Sequence, residues 1–463
     1  MRFARTTALV GVALLWWAFG PVVLLLAAGS LYFRRVREWL RPTRRVLAWW
    51  VVAVGAVAGL AYVVPDGWVR IPPGAGALVT PSYVGRPAIV PADRVTAPIG
   101  ESPQVTTRSY GTTACRDLGF DTHGRLVTIC EGALRLLDPE SLRQLASKDL
   151  PAGCPPVFTV VGDRALVAAD DRILAVATAD AEGDPDLTTA ATVDLPDIGC
   201  LTGIGADEHG RIWLSSAAGR VGLVDGDRVR TLDLDDTVDR PLAVADDAVY
   251  VAGTHALHKV IAARGKPVQA WSSAYDGGER GGPPVVLPSG LVAVADDRDP
   301  RLQVVLHRGD TGEVACRVEL FDDDESATDG GMVLAGEGVL VLNQHGYGGP
   351  LSTALGRTTT GGIALVDQKC DVSWESGLDA PSGAPAVSTG TGLAYVYTKR
   401  HSWLGANAWY LTALDLDTGR AVWARRTGLG VLRDNHGGSV ALGPDGSAYV
   451  PVLGGFVRVH DRG

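Results

Sequence analysis

The chain has 463 residues, 46% hydrophobic and 20% charged, with 58 Gly and 27 Pro, which excludes a disordered tail protein and a collagen-like repeat. Charge is divided: residues 1–70 carry nine Arg against Glu38 and Asp66, net +7, leaving −17 on residues 71–463. The acidic large domain argues against nucleic acid as a partner. Basic residues are 37 Arg and 5 Lys, so an isolated Arg is weak evidence of function.

In chain order, residues 8–33 and 46–64 are free of charge, and each is long enough to cross a hydrocarbon core of about 30 Å as a helix. They predict two transmembrane helices, the first interrupted at Pro21. The competing reading is a signal peptide starting at Arg2 and Arg5 with a cleavage site near Ala27–Ser30; the length of the run and the second apolar stretch weigh against it. Six Arg in residues 34–45 make that loop cytoplasmic by the positive-inside rule. Trp39, Trp49, Trp50 and Trp68 read as interfacial anchors. The expected location is a multi-pass cell-membrane protein with its large domain on the extracytoplasmic side. Residues 65–103 hold eight prolines and read as an extended, semi-stiff linker.

From 104 to 463 a short apolar strand, a Gly or Asp turn and a second short strand recur. The turns at Gly124, Gly162, Gly210, Asp247, Gly290, Gly338, Gly392 and Gly446 lie 37 to 54 residues apart, the length of a propeller blade. A second hairpin follows in several repeats, most clearly at 411–423. The chain stops after the third strand of the last repeat, and 104–110 is an orphan strand ahead of the first. Closure by that strand predicts an all-β, eight-bladed (alternatively seven-bladed) β-propeller of four-stranded antiparallel blades behind two transmembrane helices.

The stretch Ala413-x-Asp415-x-x-Thr418-Gly419-Arg420-x-x-Trp423 resembles the tryptophan-docking motif of PQQ-like, quinoprotein-type β-propellers. The resemblance implies that Asp415, Gly419 and Trp423 are structural, with the Trp packed between blades. It also allows a PQQ- and calcium-binding oxidoreductase. Members with that activity carry an adjacent Cys-Cys pair, and no two cysteines are neighbours in this chain. A calcium-dependent lactonase-like propeller shares only the Asp-Gly turns, which hairpin geometry explains.

Cysteines stand at 115, 130, 154, 200, 316 and 370. An even number in a domain expected outside the cell predicts disulfides. The pairs are Cys115–Cys130, Cys154–Cys200 and Cys316–Cys370, the first two exchangeable because all four cysteines lie towards one face. With no Cys-x-x-Cys, zinc-ribbon and covalent haem readings fail, and no metal site is assigned. The acidic clusters at 296–299 and 322–325 lack a calcium-loop spacing and read as solvated turns.

Connections from second to third strand and from blade to blade open on one face. Two of them are long, at 343–362 and 398–410, and belong to adjacent blades. They gather His345, Tyr347, Lys399, Arg400, His401, Trp403, Trp409 and Tyr410 into an aromatic and cationic candidate binding surface. Trp409 and Tyr410 have an alternative as packed starts of the third strand. His436 is a candidate for the channel, with a buried, hydrogen-bonded histidine as its competitor. No catalytic motif is present, and no catalytic residue is assigned. The resulting expectation is a membrane-anchored, non-catalytic binding or scaffold module for an envelope protein or glycan. Its alternative is the quinoprotein oxidoreductase with PQQ and calcium at the channel mouth.

Overall fold

The computed structural model describes residues 80–463 except 112–114, 196–197, 227, 275–281, 298–299, 329–330, 403–404 and 463, together with 7–8, 11–12, 15, 21–30, 32–40 and 52. Eight antiparallel sheets form the blades of a β-propeller: blade 1 at 115–149, blade 2 at 157–194, blade 3 at 201–233, blade 4 at 243–274, blade 5 at 285–320, blade 6 at 332–376, blade 7 at 386–429 and blade 8 at 441–460. The orphan strand Gln104–Ser109 supplies the fourth strand of blade 8, with Gln104 opposite His460 and Ser109 opposite Gly455. Eight four-stranded blades, closed by the N-terminal strand, are as the repeat predicts.

Middle strands of the blades read as continuous apolar runs because neighbouring blades cover both faces. Val339, Leu340, Val341 and Leu342 of blade 6 are all buried. Outer strands are largely solvated instead, as in Gln144–Asp149, where only Ala146 and Lys148 are half-buried. The cores lie between blades: Val127, Leu134 and Leu136 of blade 1 pack on Ala165, Val167 and Val176 of blade 2.

Tryptophans on outer strands fasten several of these seams. Trp271 of blade 4 lies against Gly312 of blade 5 and donates its indole N–H to the Gly309 carbonyl at 3.1 Å. Trp374 of blade 6 lies against Gly419 of blade 7 and donates to the Leu416 carbonyl at 2.7 Å. Both glycines sit at positive φ, +79° and +67°, and a Cβ on either would meet the indole within 2.7 Å. At the seam between blades 5 and 6, Cys316 stands four residues after Gly312, as Trp423 stands after Gly419. Cys370 takes the turn position on blade 6 with φ +74°. The disulfide Cys316–Cys370 therefore occupies the docking position covalently. Cys115–Cys130 and Cys154–Cys200 form the other two bridges, in the predicted order.

The expectation of two membrane-spanning helices is corrected. The apolar run 8–33 contributes the helix Pro21–Ser30, and the Arg-rich loop contributes Arg34–Leu40. Among the described residues no helix is long and apolar enough to cross a membrane. Ten residues at 1.5 Å each reach only about 15 Å. Pro21 is the first residue of that helix, a position that tolerates proline because its missing N–H has no intrahelical partner there. The second stretch, 46–64, lies outside the described residues apart from Val52. Residues 80–103, which their prolines read as part of a free linker, are docked. Tyr83–Gly85 adds a fifth strand to blade 7, Tyr83 opposite Arg425, and covers that blade's edge. Ala97 is buried in the core between blades 7 and 8.

Candidate functional site

The two long loops meet on the face formed by second-to-third-strand and blade-to-blade connections. Ser402 N–H donates to the Gly356 carbonyl at 2.8 Å, and Gly356 N–H donates to Asn407 Oδ1 at 2.7 Å. Thr358 Oγ1 donates to the Lys399 carbonyl at 3.2 Å. The blade 7 to blade 8 connection joins them through Asp434, which is fully buried. Its Oδ1 accepts the Tyr347 hydroxyl at 2.8 Å and the His436 N–H at 2.8 Å, and its Oδ2 accepts Thr353 Oγ1 at 2.7 Å. His436 Nδ1 lies 3.1 Å from the Tyr347 oxygen. With the tyrosine proton committed to Asp434, Nδ1 is the donor to that oxygen.

The predicted residues divide. Tyr347 and His436 come together, both half-buried, and His436 belongs to this network with φ +42°. Arg400 and His401 are exposed and His345 is half-buried. Arg400 lies 4.7 Å over the Tyr410 ring. Trp409 and Tyr410 do not belong to an exposed patch: both are fully buried in the third strand of blade 7. Trp409 stacks on Tyr397 at 5.6 Å, and Tyr410 donates its hydroxyl to the Pro81 carbonyl at 2.9 Å. Strand formation reaches back to Ala408, so these rings fall on blade faces that neighbours cover. Lys399 is buried as well, and its ammonium donates to the Arg357 carbonyl. Burial pushes that amine down to about 8 despite the nearby Asp434 and Asp379 carboxylates. Trp403 lies outside the described residues.

Sequence reasoning missed Asp434 and Thr353, and also a second cluster on this face. Asp236 accepts His255 Nδ1 at 2.9 Å and His258 Nε2 at 3.2 Å, along with the backbone N–H groups of Thr237, His255 and Ala256. Burial raises this carboxyl, but the histidine and backbone donors outweigh burial and hold it down to about 2. Two histidines three apart downstream of an Asp are the only sequence signal. Because the folded value is depressed from 3.8, the stabilisation is complete above that value and is lost as pH falls through about 2; it amounts to about 2 kcal/mol. Urea unfolding between those limits is expected to show this slope in the native protein. Asp236→Asn is expected to flatten it.

A cleft of about 120 Å³ beside blade 7 is lined by Val84, Asp379, Thr398, Lys399, Thr412 and Trp423. That is well below the roughly 300 Å³ at which cofactor pockets begin. The Asp434 and Asp236 oxygens are occupied by protein donors. This cleft does not fit PQQ, and both carboxylates are engaged by protein donors rather than turned to a cation. On the opposite face two groups have metal-like spacing, Asp121–His123–Asp163 and Glu208–His209–Asp247. Each already holds a guanidinium: Arg125 on Asp121 at 2.7 Å and Arg211 on Asp247 at 2.7 Å. These are ion-paired turns between adjacent blades.

No known protein family matches the chain, and no curated protein matches it in sequence. Solved structures do resemble it. The Dos1 propeller aligns over 80% of this chain and 97% of its own at 10% identity, TM-score 0.53. The computationally designed Ika8 protein aligns over 76% and 98% at 12% identity, TM-score 0.51. BamB from Moraxella catarrhalis aligns over 74% and 97% at 13% identity with a TM-score of 0.45, too low to support an argument. What the chain shares with Dos1 and Ika8 is the β-propeller fold and nothing finer.

Proposed function

We propose that this protein is an extracytoplasmic, PQQ-like-repeat propeller that acts as a non-catalytic binding module, with blades 6–8 as its recognition face. The observation that carries the reading is the pinning of loop 344–361 by buried Asp434 through Tyr347 and Thr353. A long loop fixed from beneath keeps its exposed side chains in one arrangement, and such preorganisation lowers the cost of binding. The tryptophan-on-glycine seams support the PQQ-like assignment. Three disulfides support an oxidising compartment.

The test places a photo-crosslinking residue at Leu355 in the full chain, with a control at Glu337 on the opposite face, in cells that make the protein. Discrete adducts at 355 and none at 337 are expected. Asp434→Ala should remove them, because it leaves the loop unpinned. No adduct at 355 would retire the reading. In the purified protein, Tyr347→Phe is expected to cost about 1–2 kcal/mol in urea unfolding, the loss of a hydroxyl that serves a buried carboxylate.

A further inference from the structure

We infer that the blade 6–8 face docks on an anionic lipid surface, an inference that rests on the recognition-face reading above and names its partner. Three leucines stand clear of the protein here: Leu351 is 79% exposed, Leu355 67% and Leu432 49%. Leu355 is held at φ +56°, a left-handed conformation unfavourable for a non-glycine residue. The surrounding loop over-determines it: Thr353 is tied to Asp434, Gly356 to Asn407, and Arg357 Nη2 to the Leu351 carbonyl at 3.0 Å. The backbone thus sustains strain to present apolar side chains to solvent.

Charge points to the kind of surface they meet. Arg357, Arg400 and His401 are exposed around the leucines. The acidic neighbours are withdrawn: Asp434 is fully buried and Asp379 half-buried. Residues 71–463 carry −17 in all, so this basic and apolar area runs against the rest of the domain. Apolar side chains ringed by cations suit the boundary between anionic headgroups and acyl chains. The acidic segments at 296–299 and 322–325 are the corresponding connections of blade 5. They oppose a flat approach and tilt contact toward blades 6–8.

Chain path agrees with that orientation. Arg426 Nη1 donates to the Thr80 carbonyl at 2.6 Å, and Arg426 N–H donates to the Ser82 carbonyl at 3.0 Å. Residues 80–82 therefore lie near the end of strand Ala421–Leu429 that reaches this face. Residue 80, the first described residue of the segment docked on blade 7, thus lies toward the same face as the leucines.

The test uses the full chain with one added cysteine, Leu355→Cys or, as control, Glu337→Cys, carrying an environment-sensitive fluorophore. Vesicles of phosphatidylcholine with a quarter phosphatidylglycerol carry a lipid-borne quencher. The probe at 355 reads this face alone, whatever else holds the chain to the vesicle. Quenching is expected at 355 and not at 337. Adding Leu351→Asp and Arg400→Glu is expected to reduce quenching at 355 at least tenfold, while circular dichroism and the thermal midpoint stay unchanged. An unquenched 355 probe on sedimented, protein-bearing vesicles would overturn the inference. If photo-crosslinking at 355 then captures a protein, the recognition-face reading survives with a different occupant. If it captures nothing, both fail.

Discussion

Cys316→Ala combined with Cys370→Ala is expected to lower the unfolding free energy by about 4 kcal/mol, the chain-entropy value for a bridge across roughly 50 residues. The sequence separation is 54. Urea unfolding checks it, with midpoint and slope fitted together because losing the bridge also expands the unfolded chain and steepens the slope. The more discriminating variant is Cys316→Trp with Cys370→Gly, which builds at blades 5 and 6 the contact that Trp374 makes with Gly419 at blades 6 and 7. A buried Trp removes about 150–250 Å² from water, and glycine relieves the positive φ that Cys370 now carries. This variant is expected to recover more than half of the loss and to make the seam indifferent to reductant. A Trp/Gly variant no more stable than the Ala/Ala variant would show that bridge and indole are not equivalent solutions to one packing problem.

That equivalence was half legible in the sequence. Gly312 to Cys316 and Cys370 to Trp374 have the spacing of Gly419 to Trp423, so the pattern is visible once the docking stretch is known. Blade number was legible for a related reason: each inner hairpin needs a positive-φ turn residue, and Gly124, Gly162, Gly210, Asp246, Gly290, Gly336, Gly392 and Gly446 supply it 36 to 56 residues apart. The site was harder to see. The sequence marks Tyr347 as a loop residue and His436 as a channel candidate, but Asp434, which joins them, is 87 residues from Tyr347, and nothing local marks a carboxylate as buried. Trp409 and Tyr410 were misplaced because aromatic residues at a strand end suit a recognition loop and a blade core equally well. The N-terminal apolar runs have the composition of membrane spans, but composition does not fix helix length, and the helix described within the first run has ten residues.

Gly100→Val is expected to destabilise the propeller by about 3 kcal/mol or more, among the largest effects a single substitution produces. The reason lies in ring closure. Trp423 of blade 7 needs a glycine turn on blade 8, but blade 8 is assembled from both ends of the domain and has no continuous turn between its third and fourth strands. Its place is taken by two segments 361 residues apart. Asp461 Oδ2 accepts the N–H groups of Ile99 at 2.7 Å and Gly100 at 3.1 Å. Gly100, at φ +91°, lies so close that a Cβ would come within 2.6 Å of the Trp423 ring. A valine there is strained in its backbone and drives the indole from a seam whose docking turn is built from two separate segments. Gly437 separates the two costs, since it has φ +87° but open space around its Cβ position. Gly437→Val should therefore show the backbone penalty alone. Asp461→Ala, which removes the clamp and keeps the glycine, is expected to speed hydrogen exchange in strand Gln104–Ser109 before it affects blades 2–5. Equal costs for the Gly100 and Gly437 variants would mean that Trp423 does not depend on Gly100, and that closure rests on the hydrogen bonds of Gln104–Ser109 to Gly455–His460 alone.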